Sequence, residues 1–186
     1  RRPASVFSKS AAAAVARCRR ESLAVVDRPF DVVVTTNGGH PLDRDLYQTV
    51  KGLVSAAEIV APGGRIVCLS GCADGVGSAD FRRLLADMRD PDSFVAMISR
   101  PGFFVPDQWE VEELAKVLRK ARVLLCSPGL TDAESPAAHM TPVRSVEDGV
   151  ALAAAELGGR PTIAVIPGGP YTIAAVRKGS RPCSGE

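Results

Sequence analysis

The sequence predicts an α/β fold: a parallel sheet with helices on both faces, a Rossmann-like three-layer arrangement. Two observations predict it. The strand-like runs are short, continuous and rich in Val, Ile and Leu, without polar alternation, as in strands buried on both faces. Segments with apolar residues at helical spacing stand between them, the alternation of a parallel sheet. Right-handed crossovers follow, and ligands are expected beyond the carboxyl ends of the strands.

Each element has its own reason. Ser8 to Ser22 is rich in Ala, Arg and Glu, which favour helix. Leu23 to Val26 reads as a short strand, and Phe30 to Thr36 as a β-branched one. A helix is expected over about Asp43 to Val60. Arg65 to Ser70 is a strand bounded by Pro62-Gly63-Gly64. Helices follow at Ser78 to Met88, with Ser78 as N-cap, at Asp92 to Ile98 and at Asp107 to Lys120. Val123 to Ser127 is a strand. Ser145 caps a helix running to Leu157, with Asp148 three residues on, and Gly158-Gly159 stops it. Thr162 to Ile166 is the last strand. The tail Arg177–Glu186 is charged, carries Gly and Pro, and is expected to be loose. One domain over 1–186 accounts for all of this.

The segment from Asn37 to Gly52 carries the functional signal. Gly38 and Gly39 permit a turn after the strand. Pro41 suits a first helical turn, and Asp43 and Asp45 suit a helix N-terminus. Leu46, Val50, Leu53, Val54 and Ala57 form an apolar stripe. Arg44, Gln48, Lys51 and Ser55 form a second, polar stripe. Gln48 and Lys51 thus project side by side near an open strand end. An amide beside an ammonium suits a small carboxylate or hydroxy acid. A polar stripe is also the ordinary wet face of an amphipathic helix. Tyr47 adjoins Gln48. Trp109, the single tryptophan, serves either the core or a cleft, and Tyr171 is expected to pack.

Other motifs read more weakly. The loop Gly71–Gly77 lies where a dinucleotide phosphate loop would lie, but its spacing is not GxGxxG. The two histidines, His40 and His139, are too few and too far apart in sequence to make a metal site by themselves. His40 is a candidate local acid–base group beside Gln48 and Lys51. No GxSxG elbow or Ser/His/Asp triad is present.

Composition sets bounds. Net charge is +2 and the basic residues form no block, which argues against nucleic acid. No run approaches the roughly 20 apolar residues of a membrane helix. The five cysteines are scattered and odd in number, unlike a disulfide framework, and a reducing cytoplasm is the expected compartment. Cys68 and Cys126, inside apolar runs, are expected to be buried thiols. The chain begins at Arg1 rather than Met and is read as a piece of something longer.

The pattern N-G-G-x-P-L-D-x-x-x-Y-Q-x-x-K-G, from Asn37 to Gly52, resembles the C-terminal domain of the nickel-dependent lactate racemase family (LarA-like 2-hydroxy-acid racemases). Ala61-Pro62-Gly63-Gly64, the segment Ser70–Gly77, Pro106-Asp107-Gln108-Trp109 and Ile166–Thr172 are similar to the family in the same order. The resemblance covers about Phe30 to Thr172.

That resemblance implies a racemase of 2-hydroxy acids working by hydride transfer to a nickel-pincer nucleotide. The cofactor-tethering lysine and the catalytic and nickel-binding histidines would belong to an N-terminal catalytic domain that is not in this chain. The fragment alone is then expected to be inactive and to hold neither nickel nor the cofactor. Gln48 and Lys51 would bind the substrate carboxylate, with Tyr47, Trp109, Asn37, Gly38 and Gly39 as candidate pocket residues. The resemblance gives His40 no catalytic role. Two alternatives stand beside it: a nucleotide-binding domain using the Gly71–Gly77 loop, and a non-catalytic assembly module, marked by a buried Lys51.

Overall fold

The computed structural model describes residues 4–177, with the side chains of 4–10 set aside. The elements run α1 (Ala4–Ser22), β1 (Leu23–Val26), β2 (Phe30–Thr36), α2 (Leu46–Ile59), β3 (Val60–Leu69), α3 (Ala79–Asp87), α4 (Pro91–Ile98), α5 (Gln108–Lys120), β4 (Ala121–Cys126), α6 (Glu134–Ala137), β5 (Thr141–Pro142), α7 (Val146–Leu157), β6 (Ile163–Ile166) and β7 (Ile173–Val176). A 3-10 turn, Gly169–Tyr171, precedes β7.

Five strands form one parallel sheet in the order β5-β4-β3-β2-β6. Their side chains divide by parity, as a pleat requires. Val33, Ile66, Cys68, Val123 and Leu125 face a core shared with Leu46, Val50 and Leu53 of α2, Phe81 of α3, Phe94 of α4 and Leu114 of α5. Val32, Val67 and Leu124 face the other way, onto Ala153 of α7. Both faces of the central strands are therefore covered, which is why those strands read as unbroken apolar runs. Ion pairs reinforce the α7 side: Glu156 meets Arg65 of β3 and Arg122 of β4, each at 2.6 Å. The Asp31 carboxylate accepts from the Thr162 amide at 2.8 Å and its hydroxyl at 2.7 Å, pinning β6 to β2.

Several boundaries differ from the sequence expectation. Helix α2 starts at Leu46 rather than Asp43, because Asp45 is its N-cap and accepts from the Gln48 amide at 2.8 Å. Pro41, Asp43 and Arg44 belong to the turn before it. β3 begins at Val60, five residues earlier than expected, pairing with Phe30 before a register shift. β7 is an additional strand, paired in parallel with β1 in a separate two-stranded sheet. Cys68 is buried as expected, but Cys126 is only half-buried. The expected loose tail, from residue 178 on, lies outside the described residues.

The loops after β2, β3, β4 and β6 gather at one edge. The Thr36 hydroxyl donates to the Pro167 carbonyl at 2.6 Å, and the Gly129 amide to the Gly71 carbonyl at 3.0 Å. Among the described residues no helix is long and apolar enough to cross a membrane.

Candidate functional site

The site is built around the start of α2. The backbone donors there are already used. The Leu46 and Tyr47 amides donate to the Gly75 and Val76 carbonyls at 3.0 and 3.2 Å, and Gln48 and Thr49 are capped by Asp45. A helix N-terminus with free amides is an anion site. Here those amides are engaged, and the donors free to act are side chains one turn further on.

Those side chains are Gln48 and Lys51. The Lys51 ammonium donates to Gln48 Oε1 at 2.5 Å, so the pair expected from spacing is in contact. This leaves the Gln48 amide N–H groups and the remaining Lys51 N–H groups as an outward set of donors. Lys51 is exposed, which removes the mark set for a pure assembly module. Its Nζ also lies 5.7 Å from the Tyr47 ring centroid. Tyr47 packs edge-on against Phe81, at 5.3 Å between centroids, which fixes its ring.

Trp109 lies at the start of α5, and its indole N–H donates to the Tyr47 hydroxyl at 3.1 Å. It is 49% exposed, so it lines the surface rather than filling the core. Burial raises the Tyr47 pKa, while the Trp109 hydrogen bond lowers it. The hydroxyl accepts from Trp109 and keeps its own proton to donate. A cavity of about 280 Å³ opens beside this cluster, lined by Arg44, Asp45, Tyr47, Gln48, Gly77, Ser78 and Asp107. Asp107 has a left-handed backbone, φ 67°, and its carboxylate accepts from the Ser78 hydroxyl, joining the starts of α5 and α3. Glu110, one residue past Trp109, is buried, and desolvation raises its pKa against the opposing pull of Lys51. Sequence reading passed over Arg44, Ser78 and Asp107 as cavity walls and Glu110 as a buried acid. The signals that pointed their way were the polar stripe for Arg44, the N-cap for Ser78 and the segment 106–109 for Asp107.

The other candidates fall out differently. Asn37 is buried, and its amide donates to the Leu42 carbonyl at 2.6 Å, so it latches the turn. Its Oδ1 is buried without a partner and lies against Gly52. Gly38 and Gly39 are exposed with φ of 82° and 77°, as the turn demands. Tyr171 is a correction: it is 63% exposed and lies over Gly38 rather than packing inside. Ser55 is another. It is buried, and its hydroxyl donates to the Thr172 carbonyl at 2.6 Å, so the polar stripe ends at Lys51.

The Gly71–Gly77 loop does not present a phosphate cradle. The Gly71 amide donates to the Asp43 carboxylate at 2.9 Å, and the Cys72, Asp74 and Gly75 amides donate to backbone carbonyls. Its donors shape the α2 approach instead. Among the described residues no group of three or more His, Cys, Asp or Glu could hold a metal. His40, in the turn after β2, and His139, in the turn before β5, are both exposed.

The model of the lactate racemase C-terminal domain matches residues 25–174. The chain belongs to this family. It is 32% identical over 148 residues to the lactate racemase of Thermoanaerobacterium thermosaccharolyticum, covering 78% of this chain and 35% of that protein. It is 33% identical over 141 residues to the lactate racemase of Lactiplantibacillus plantarum, covering 75% of this chain and 33% of that protein. The structure of the Thermoanaerobacterium lactate racemase apoprotein superposes with a TM-score of 0.80 at 31% identity, over 88% of this chain and 39% of that one. The chain therefore spans about a third of the length of the curated relatives it matches. The family's α/β architecture and the parallel sheet agree.

Proposed function

We propose that this chain is the substrate-binding C-terminal part of a 2-hydroxy-acid racemase of the lactate racemase type, working in a reducing cytoplasm. The observation that carries this reading is the Lys51–Gln48 contact on an exposed surface beside Tyr47 and Trp109. Lys51 meets the substrate carboxylate as a compact cation. Gln48, its carbonyl oxygen held by Lys51, turns its N–H groups to the carboxylate or the 2-hydroxyl. Tyr47 and Trp109 wall the substrate and limit water.

These residues bind and orient; they supply no base for the α-carbon. The described residues do not fit a nickel centre, and no step through one is assigned to them. In the reading the resemblance implies, a nickel-pincer nucleotide carries the hydride, held by an N-terminal catalytic part of the same protein. Trp109 and Phe104, 49% and 71% exposed, give that part an aromatic surface to close upon. Ligand pockets between domains are common.

The test uses the longer protein. Each enantiomer of lactate and of other 2-hydroxy acids is supplied, and the opposite enantiomer is followed by chiral chromatography. Racemisation that falls sharply in Lys51→Ala is expected. No racemisation of any 2-hydroxy acid by the cofactor-loaded protein overturns the reading.

A further inference from the structure

We infer, resting on the function proposed above, that the cavity beside Gln48 holds the remainder of the substrate, and that this substrate is a polyhydroxy acid longer than lactate. Position comes first. The cavity of about 280 Å³ shares Gln48 with the pair proposed to bind the carboxylate, and extends back past the start of α2 to Arg44. That stretch of chain covers a helical turn, about 5.4 Å. The methyl group of lactate would leave most of it empty.

The lining chooses the body of the substrate. No aliphatic side chain lines this cavity; beyond Gln48, the Tyr47 ring and Gly77, its walls are Arg44, Asp45, Ser78 and Asp107. Part of that polarity is already engaged. The Asp45 carboxylate accepts from the Gln48 amide and from Arg44 Nε. The Ser78 hydroxyl accepts from the Phe81 amide and donates to Asp107 Oδ2. Left without a hydrogen bond among the described residues are the terminal N–H groups of Arg44, the second oxygen of Asp107 and the proton of the Tyr47 hydroxyl. Free donors beside a free acceptor match hydroxyl groups, which both give and accept hydrogen bonds. An alkyl chain would cover the same groups without pairing them, which is costly. A second carboxylate is disfavoured as well. Arg44 is flanked by Asp45 at 3.1 Å and Asp74 at 3.6 Å, and Asp107 stands on the same cavity, so the carboxylates outnumber the one guanidinium.

The experiment compares substrates of the racemase proposed above, with inversion at C2 followed by chromatography. Gluconate and galactonate are set against 2-hydroxyhexanoate, which has the same chain length without the extra hydroxyls, and against lactate and malate. The better of the two sugar acids should exceed 2-hydroxyhexanoate and lactate in kcat/KM by about tenfold or more, the gain from one charge-assisted hydrogen bond. Arg44→Ala should shrink its advantage over 2-hydroxyhexanoate by a similar factor. Asp107→Asn should shrink it too and raise the turnover of malate, since a repelling carboxylate is gone. Asn adopts the left-handed backbone of position 107 as Asp does, so this variant keeps the fold. Lactate or 2-hydroxyhexanoate turned over as well as the better sugar acid overturns this inference and leaves the proposed racemase standing. So does a preference for malate, or an unchanged preference in both variants. No inversion of any 2-hydroxy acid overturns the proposed function itself, and this inference with it.

Discussion

The Trp109 indole N–H donates to the Tyr47 hydroxyl at 3.1 Å, joining the first turns of two helices 62 residues apart in the chain. Because α2 also carries Gln48 and Lys51, the bond sets the aromatic wall relative to the pair proposed to bind the carboxylate. Both partners are partly solvated, so the bond adds little to stability, about 0.5–1.5 kcal/mol at most. A double-mutant cycle of Tyr47→Phe and Trp109→Phe, read by urea unfolding, should give a coupling at the low end of that range. In the racemase proposed above, the same variants should raise KM while leaving the melting temperature nearly unchanged. Coupling well above this range would make the pair a structural anchor rather than a wall of the site.

A second prediction concerns the close packing beneath the site. A Cβ on Gly52 would lie 2.9 Å from the Thr36 carbonyl oxygen and 3.2 Å from Asn37 Oδ1. Neither is the loose end of a flexible side chain. Gly52→Ala should therefore destabilise the fold by about 1–3 kcal/mol, as overpacking does. Leu53, fully buried in the core, should cost roughly 2–5 kcal/mol when cut to Ala. Chemical denaturation measures both. A neutral Gly52→Ala would mean that the β2 loop yields, and that Asn37 is not held by α2.

The parallel sheet was legible because its strands are buried on both faces and so show no polar alternation. The pairing of Gln48 with Lys51 was legible because three residues on a helix is a contact distance. The start of α2 was not, because Asp43 and Asp45 look alike in sequence. Only the fold shows that Asp43 serves Gly71 while Asp45 serves Gln48. Ser55 deceived for a similar reason. Its helical phase is nearly that of Lys51, yet the chain after Gly169 returns over it and the Thr172 carbonyl accepts its hydrogen bond. β7 was missed because its centre, Ala174-Ala175, has little strand propensity, whereas β1 and β6, of the same length, carry more Val, Ile and Leu.

A third prediction follows from Glu110, which is 7% exposed. Desolvation raises its pKa, with Lys51 partly offsetting that. A carboxyl with a raised pKa binds its proton more tightly in the folded chain than in the unfolded one. Its penalty is absent below the unfolded value, about 4.3, and grows as pH rises through the folded value. Glu110→Gln should thus raise the melting temperature near pH 7 and leave it nearly unchanged near pH 4. In the Lys51→Ala background the gain near pH 7 should be larger, since the offsetting cation is gone. Thermal unfolding at the two pH values decides it. A destabilised Glu110→Gln near pH 7 would mean that the carboxylate is held by a partner and not merely buried.

The last prediction separates binding from folding at the pair itself. Lys51 is exposed, and its interactions with Gln48, the Tyr47 ring and Glu110 are all screened by solvent, so Lys51→Ala should lower the stability of the chain only slightly. In the racemase proposed above, the same change would remove the charge-assisted contact to the substrate carboxylate, worth roughly 1.5–3 kcal/mol. That is about one to two decades in kcat/KM. Gln48→Ala should cost less, about 0.5–1.5 kcal/mol, if its N–H groups make a neutral hydrogen bond to the hydroxyl. A loss as large as that of Lys51→Ala would place Gln48 on the carboxylate too. The double variant should lose less than the sum of the two, because each side chain holds the other in position. Steady-state racemisation with both enantiomers supplies these numbers. Full turnover by Lys51→Ala would move the carboxylate to another cation and leave the Lys51–Gln48 contact as surface chemistry only.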